Sequence, residues 1–339
     1  PVLAGTDEWF WIIGGAGLIT LVLGSYAAIF QNDMKGVLAY STIGHLGLIT
    51  LLLGMNSTLG LIAAVFHMMN HATFKASLFM AAGIVDHETG TRDMSKLSGL
   101  RHAMPVTTTL AIVAAASMAG VPLLNGFLSK EMFFAETVFV AKGSIIEQIL
   151  PLCAVVAGAF AVTYSLRFIH TVFFGPLATD LPKAPHEPPF WMLVPSALLV
   201  LTCLVVGIFP RYTLGPLLLS ASTSILGPDT PPYSLPLVMS LVALAGGIIL
   251  WLIMRRLDKM HTGRSPLIYR LNGRQTFESL IEFMDRGASY LLDWVSSIRL
   301  QTQLMLVIAV TVVVAALPLL ENSWWQPELA TPVNLFFLL

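Results

Sequence analysis

The chain has 339 residues, of which 56% are hydrophobic and 11% charged, and its formal net charge is −1. Soluble domains carry about 25% charged residues, so a chain this apolar has too little polar surface to stay dispersed and falls in the polytopic membrane class. The charge balance gives no footprint for nucleic acid. Cys153 and Cys203 lie in apolar runs, where a thiol acts as a small hydrophobe rather than as part of a disulfide or metal site.

A membrane-spanning helix needs about 20 apolar residues. Runs near 10–30, 36–55, 59–85, 103–141, 147–174, 190–209, 235–254 and 303–320 qualify. The expected fold is therefore an all-α membrane bundle of about eight crossings. The first run, "FWIIGGAGLITLVLGSYAAIF", follows Pro1 without a basic lead-in or a cleavage site, and is read as part of a longer polypeptide or a split gene. The fourth run is interrupted by "GVPLLNG" (120–126), where Pro122, Asn125 and Gly126 predict a broken helix; a simple proline kink is the alternative.

Lysine and arginine collect on one side of this arrangement: Lys35, then Arg92, Lys96 and Arg101, then Lys183, then Arg255, Arg256, Lys259, Arg264, Arg270 and Arg274. The other side holds Lys142 and Arg211, so the first set is cytoplasmic. Residues 276–300 do not span. Phe277, Leu280, Ile281, Met284, Ala288, Leu291, Val295 and Ile298 recur at helical spacing opposite Glu278, Glu282, Asp285, Ser289, Asp293 and Ser296. That pattern predicts an amphipathic helix lying on the interface or against partner helices. Two segments result: a bundle over 1–210, and peripheral helices over 211–339.

The third span carries His67, His71 and Lys75 at i, i+4 and i+8, which places them in one stripe about 12 Å long. Lys130 follows the break in the fourth span, Lys35 opens the second, and His45 lies half-way along it. Three explanations compete for the stripe. A zinc site is disfavoured, because "HMMNH" lacks an intervening glutamate and the next turn presents a cation. Histidines satisfied by each other and by backbone in a packed bundle would be purely structural.

The third explanation is a proton relay. A charge at the bilayer centre costs on the order of 3 kcal/mol or more, which makes an intramembrane ionisable group functional by default. Histidine and a desolvated lysine can both exchange protons near neutral pH. Steps of about 6 Å between successive groups then call for bridging waters. Lys35, His67, His71, Lys75 and Lys130 are the candidate proton-transfer residues, with His45 and Glu131 as further possibilities.

Other polar residues suggest simpler roles. Glu131 cannot share a helix face with Lys130 and is expected to pair with another helix or a neighbouring chain. Arg167 and His170 sit where snorkelling suffices, and Glu136 and Glu147 are expected to be hydrated near the outer face. The loop 85–105, "VDHETGTRDMSKLSGLRHAMP", places histidine and acidic residues that a plain connector would not need. No nucleotide loop, nucleophile–base pair, haem or iron–sulfur spacing is present, so no cofactor, resident metal or enzymatic activity is expected.

"QNDMKGVLAYSTIGHLGLI", "FHMMNHATFKASLFMAAGIVDHETGTRD" and "GVPLLNGFLSKEMFF" resemble the antiporter-like subunits shared by Mrp-type Na+/H+ antiporters and respiratory complex I. "GIVDHETGTRDMSKLSGLRHAMP" and "YSLRFIHTVFFGP" are most similar to the large, A-type subunit of the Mrp complex. The resemblance implies that the chain corresponds to helices 9–16 of that family, with 276–300 as the lateral helix that clasps neighbouring subunits. It places Lys130 on the family's broken helix 12, and Lys35, His67, His71 and Lys75 on its central polar axis. His45 falls where relatives often carry glutamine.

The resemblance further implies a partner chain or segment supplying the first inverted repeat, since this sequence holds only the second and should not transport alone. Other antiporter subunits, the lipid bilayer, protons and Na+ are the implied partners, in a prokaryotic cytoplasmic membrane. The expected activity is proton translocation coupled to Na+ export. A proton-pumping subunit of complex I or of a membrane-bound hydrogenase, and a non-transporting scaffold, are the rivals.

Overall fold

A computed structural model describes residues 6–140, 145–213, 234–257, 266, 273–295 and 300–320. The chain divides into two compact units, Pro1–Tyr269 and Arg270–Leu339. Among the described residues the regular structure is helical, as expected. In the first unit α1 is Asp7–Ile29, α2 Met34–Gly54, α3 Thr58–Thr89, α4 Pro105–Ala119, α5 Asn125–Val140, α6 Ile145–Phe173, α7 Phe190–Ile208 and α8 Ser234–Arg256. The second unit contains α9, Gly273–Val295, and α10, Leu300–Leu320.

Five described helices are long and apolar enough to cross a membrane: α1, α2, α7 and the stretches Ile149–Phe173 of α6 and Leu235–Arg256 of α8. Helix α3 is longer, at 32 residues, and exceeds the hydrocarbon thickness. Its buried His67, His71 and Lys75 break the apolar run. Where a broken span is expected, the structure has two short helices, α4 and α5. The break is shorter than the sequence suggests, covering 120–124, because α5 starts at Asn125. Asn125 and Gly126 open a helix rather than interrupt one.

Two glycines bring α1 and α2 to backbone contact. A Cβ at Gly17 would lie 2.4 Å from the Leu51 nitrogen, and one at Gly47 would lie 2.3 Å from the Leu21 nitrogen. No larger residue permits that approach. The tight pair then presents the inner face of α2, including His45, to α3.

At the end where basic residues collect, the loops are tied down. Asp33 caps α2 through the Lys35 N–H at 3.3 Å and pairs with Arg92 at 3.1 Å. Helix α4 begins with Pro105 and has no cap from its preceding residue, Met104. Glu187, from the loop before α7, supplies one by accepting from the Val106 and Thr107 N–H groups at 2.9 and 3.0 Å and from the Thr107 hydroxyl at 2.5 Å. Replacing Glu187 by alanine should lower stability by about 1 kcal/mol, the usual value of an N-cap. Thermal unfolding in detergent reads this directly, and an unchanged midpoint would remove Glu187 from the capping role.

Two polar residues differ from expectation. Arg167 does not snorkel; it is 3% exposed and donates to the carbonyls of Ile29 (2.8 Å) and Gln31 and to Asn32 Oδ1 (2.7 Å). The guanidinium therefore closes the C-terminus of α1, where the helix dipole favours a cation. Glu136 is not hydrated near the outer face but fully buried, and it accepts a hydrogen bond from Ser57, the N-cap of α3. The side chain of Glu147 lies outside the described residues.

In the second unit, α9 presents Phe277, Leu280, Ile281, Met284 and Leu291 as exposed apolar residues. Its polar residues include Glu282 and Arg286, paired at 3.1 Å across one turn. Residues 296–299, where the predicted amphipathic pattern ends, lie outside the described residues, as do Lys142, Lys259, Arg264 and Arg270.

Candidate ion-translocation site

The site is built where α2, α3, α5 and α6 meet, with the end of α4 inserted among them. Spacing of four residues sets His67, His71 and Lys75 on one face of α3, and packing turns that face away from lipid. His45, His67, His71, Lys75 and Lys130 are each at most 9% exposed.

The stripe is not a simple ladder along α3. His67 and His71 have ring centroids 6.5 Å apart, the separation the helix dictates. His45 of α2 inserts beside both, 5.2 Å from the His67 ring and 5.0 Å from the His71 ring. His45 Nδ1 and His67 Nε2 share a hydrogen bond of 3.0 Å, so this step needs no bridging water. Beyond His67, its Nδ1 reaches the Ser129 hydroxyl of α5 at 2.9 Å. Beyond His45, its Nε2 lies 3.3 Å from the Tyr164 hydroxyl of α6. His71 Nε2 is buried without a hydrogen-bond partner among the described residues. A buried polar atom in that condition costs about 1–3 kcal/mol and marks a place that structure alone does not explain.

Lys75 leads away from the histidines toward the basic end. Its ammonium donates to the Ser41 hydroxyl at 2.6 Å and the Leu38 carbonyl at 3.3 Å, and touches Met118 Sδ at 3.4 Å. Nearer that end, Lys35 pairs with Asp86 at 2.9 Å. Both of those side chains are about one-third exposed, so the structure leaves Lys35 at the rim rather than in the buried row.

Lys130 occupies the break. Helix α4 ends at Gly120, whose φ of 87° is left-handed and whose N–H serves the Ala116 and Ser117 carbonyls. The remaining carbonyls, of Met118 and Ala119, accept from the Lys130 ammonium at 2.9 and 2.8 Å. The lysine is thus the C-cap of the first half-helix, held where the dipole is negative. Gly120 makes room for it: a Cβ there would come within 2.8 Å of Lys130 Cδ. A cavity of about 20 Å³ adjoins Lys130, His45, Tyr164 and Ser25. That volume and lining suit one water with several polar partners.

The break itself is locked by amides. Asn125 donates to Asn70 Oδ1 and Thr73 Oγ1, both at 3.0 Å, and its own Oδ1 accepts from the Ser117 hydroxyl at 2.5 Å. Asn70 donates back to the Asn125 carbonyl at 3.2 Å. Close approach of α4 and α5 needs Gly126, where a Cβ would meet the Ser117 carbonyl oxygen at 1.9 Å.

Glu131 lies on the other side of α5 from this row and accepts from Ser240 of α8, so its partner is a helix of the same chain. Sequence reasoning did not single out Ser41, Asn70, Ser129 or Tyr164. Ser129 precedes Lys130 directly and Asn70 precedes His71. All four also lie within the stretches that carry the family resemblance.

The described residues thus form an all-α bundle with five helices long and apolar enough to cross a membrane, in which a buried lysine caps α4 beside a cluster of histidines. The family described as NADH:quinone oxidoreductase/Mrp antiporter, TM, matches residues 2–156. The chain is 54% identical over 338 residues to the A/B-type subunit of a probable K(+)/H(+) antiporter of Rhizobium meliloti, covering 97% of this chain and 34% of that protein. It is 39% identical over 292 residues to the A-type subunit of the Na(+)/H(+) antiporter of Alkalihalophilus pseudofirmus, covering 76% of this chain and 36% of the relative. Among solved structures, the Mrp complex from Dietzia sp. DQ12-45-1b is similar, with a TM-score of 0.68 and 31% identity over 94% of this chain and 35% of that one. The chain belongs to the family of A-type subunits of Mrp antiporters. It spans about a third of the length of these relatives.

Proposed function

We propose that the chain is the second antiporter-like repeat of a multisubunit cation/proton antiporter in a bacterial cytoplasmic membrane, and that it conducts protons through the second half-channel, coupled to Na+ export. It acts as a transporter subunit rather than an enzyme. Residues 1–210 form the conducting module, and 211–339 form a separate segment that includes the amphipathic α9. The other repeat and the companion subunits complete the pathway.

One observation carries this proposal: exchangeable groups are buried together, with His45 bonded to His67 and His67 to Ser129, His71 packed against both rings, Lys75 one turn further along α3, and Lys130 following Ser129. Protons pass along the row through imidazoles that take a hydrogen at one nitrogen and release it at the other. Lys35 and Asp86 at the basic rim serve as the mouth. Lys130 couples the row to the half-helix it caps, because loss of its proton removes a charge from the Met118 and Ala119 carbonyls. His71→Ala in the assembled complex should abolish cation-dependent proton movement in inside-out vesicles while leaving the complex intact. Unaltered exchange would end the relay; a complex lost together with exchange would point to the scaffold role instead.

Sodium is the expected coupled cation. The 54% identity to a probable K(+)/H(+) antiporter subunit favours potassium as a second reading. Measuring dequenching with each cation at equal ionic strength decides between them.

A further inference from the structure

A second polar cavity, of about 380 Å³, opens at the basic end of the bundle between the ends of α6 and α8 and the 94–98 and 174–176 loops. Three hydrogen-bonding side chains line it without a hydrogen-bond partner among the described residues: His170 and Thr171 of α6 and Arg255 of α8. The hydroxyls of Ser95 and Ser98, also at its wall, are already committed, to Asp93 Oδ1 and the Pro176 carbonyl at 2.7 Å each. No carboxylate is among its described lining residues.

The aromatic groups hold the free donors in place. Trp251 lies under the Arg255 guanidinium at 5.4 Å and meets the His170 ring edge-on at 5.1 Å. Phe174 stacks on His170 at 6.1 Å. A guanidinium held over a tryptophan, with an imidazole and a hydroxyl beside it, presents convergent donors to a planar or tetrahedral oxyanion. The apolar part of the lining includes Trp251, Met254 and Leu97, at the level where aromatic residues meet lipid headgroups.

We infer that this cavity binds a phosphate group, and that its source is the headgroup of an acidic phospholipid from the cytoplasmic leaflet. Arg255 and His170 contact the phosphate oxygens, Thr171 donates the third hydrogen bond, and the Trp251 and Met254 side chains lie along the glycerol and upper acyl chain. Basic pockets between helices on this side of a membrane have the charge and depth to hold such headgroups. A lipid seated there would bridge α8 to α6, the helix that also carries Tyr164.

The test uses the full-length protein in its assembled complex, reconstituted in nanodiscs of phosphatidylcholine with a fluorescent phosphatidylglycerol as probe. The wild type should retain the acidic probe over a phosphatidylcholine analogue, and Arg255→Gln should reduce that preference about tenfold, the value of one charge-assisted hydrogen bond. Arg256→Gln, which alters the neighbouring exposed arginine outside the cavity lining, should leave it unchanged, and Arg255→Lys should restore part of it. Equal retention of both lipids, or equal effects of Arg255→Gln and Arg256→Gln, overturns the site. Binding of inorganic phosphate that depends on Arg255, without any lipid preference, assigns the cavity to a soluble phosphate and overturns the lipid assignment.

Discussion

Lys130→Arg should reduce antiport at least about hundredfold while leaving the complex assembled, since a positioned proton-transfer group contributes about 10²–10⁴. The substitution separates two roles that the geometry gives to one side chain. As a cap, Lys130 needs only a positive charge over the Met118 and Ala119 carbonyls, and arginine keeps that. As a proton carrier it must also exist as a neutral amine, a form that arginine does not adopt in proteins. Alanine is a cruder probe: it strips both carbonyls of their donor at a buried helix end, so about 1–3 kcal/mol of stability goes with it. Proton movement measured by dye dequenching, beside a thermal midpoint of the same preparation, distinguishes the cases. Full antiport in the arginine variant would reduce Lys130 to a structural cap.

His45→Leu should have an effect of similar size, and His45→Gln a much smaller one. His45 is the link between the two histidines of α3 and Tyr164, through Nδ1 to His67 and Nε2 to the phenol. Leucine fills the volume but leaves His67 Nε2 and the Tyr164 hydroxyl without their partner inside a packed bundle. Glutamine presents a donor and an acceptor on one short side chain, so it can keep both neighbours oriented. It cannot carry a proton as an imidazolium does. Exchange should therefore fall by about a hundredfold with leucine and by less with glutamine, each read at saturating cation. If both variants transported as the wild type does, protons would have to bypass α2 altogether.

Much of this architecture was legible from residue patterns. Apolar runs of sufficient length marked the helices, because lipid requires every backbone group to be bonded within its own segment. The four-residue spacing of His67, His71 and Lys75 set them on one face, and Pro122 with its flanking glycines marked the break. The boundaries shifted: Asn125 proved to be the start of a helix because its amide finds Asn70 and Thr73 on α3, and no local pattern encodes a partner 52 or 55 residues away. Glu136 and Arg167 were misjudged for the same reason. Each looks like a surface charge in sequence, and each is buried against a helix end contributed by another segment, Ser57 for one and the close of α1 for the other.

The sequence by itself determined that this is a membrane bundle with ionisable groups along its apolar helices, since composition and periodicity are local properties that water and lipid act on directly. Only the tertiary structure decided which of those groups touch. The packing of His45 beside two histidines of α3, the capping of α4 by Lys130, and the meeting of Arg255, His170 and Thr171 at one cavity all depend on how separate helices pack. Packing brings together side chains tens of residues apart through the combined fit of many faces, and no single stretch of the chain records that fit.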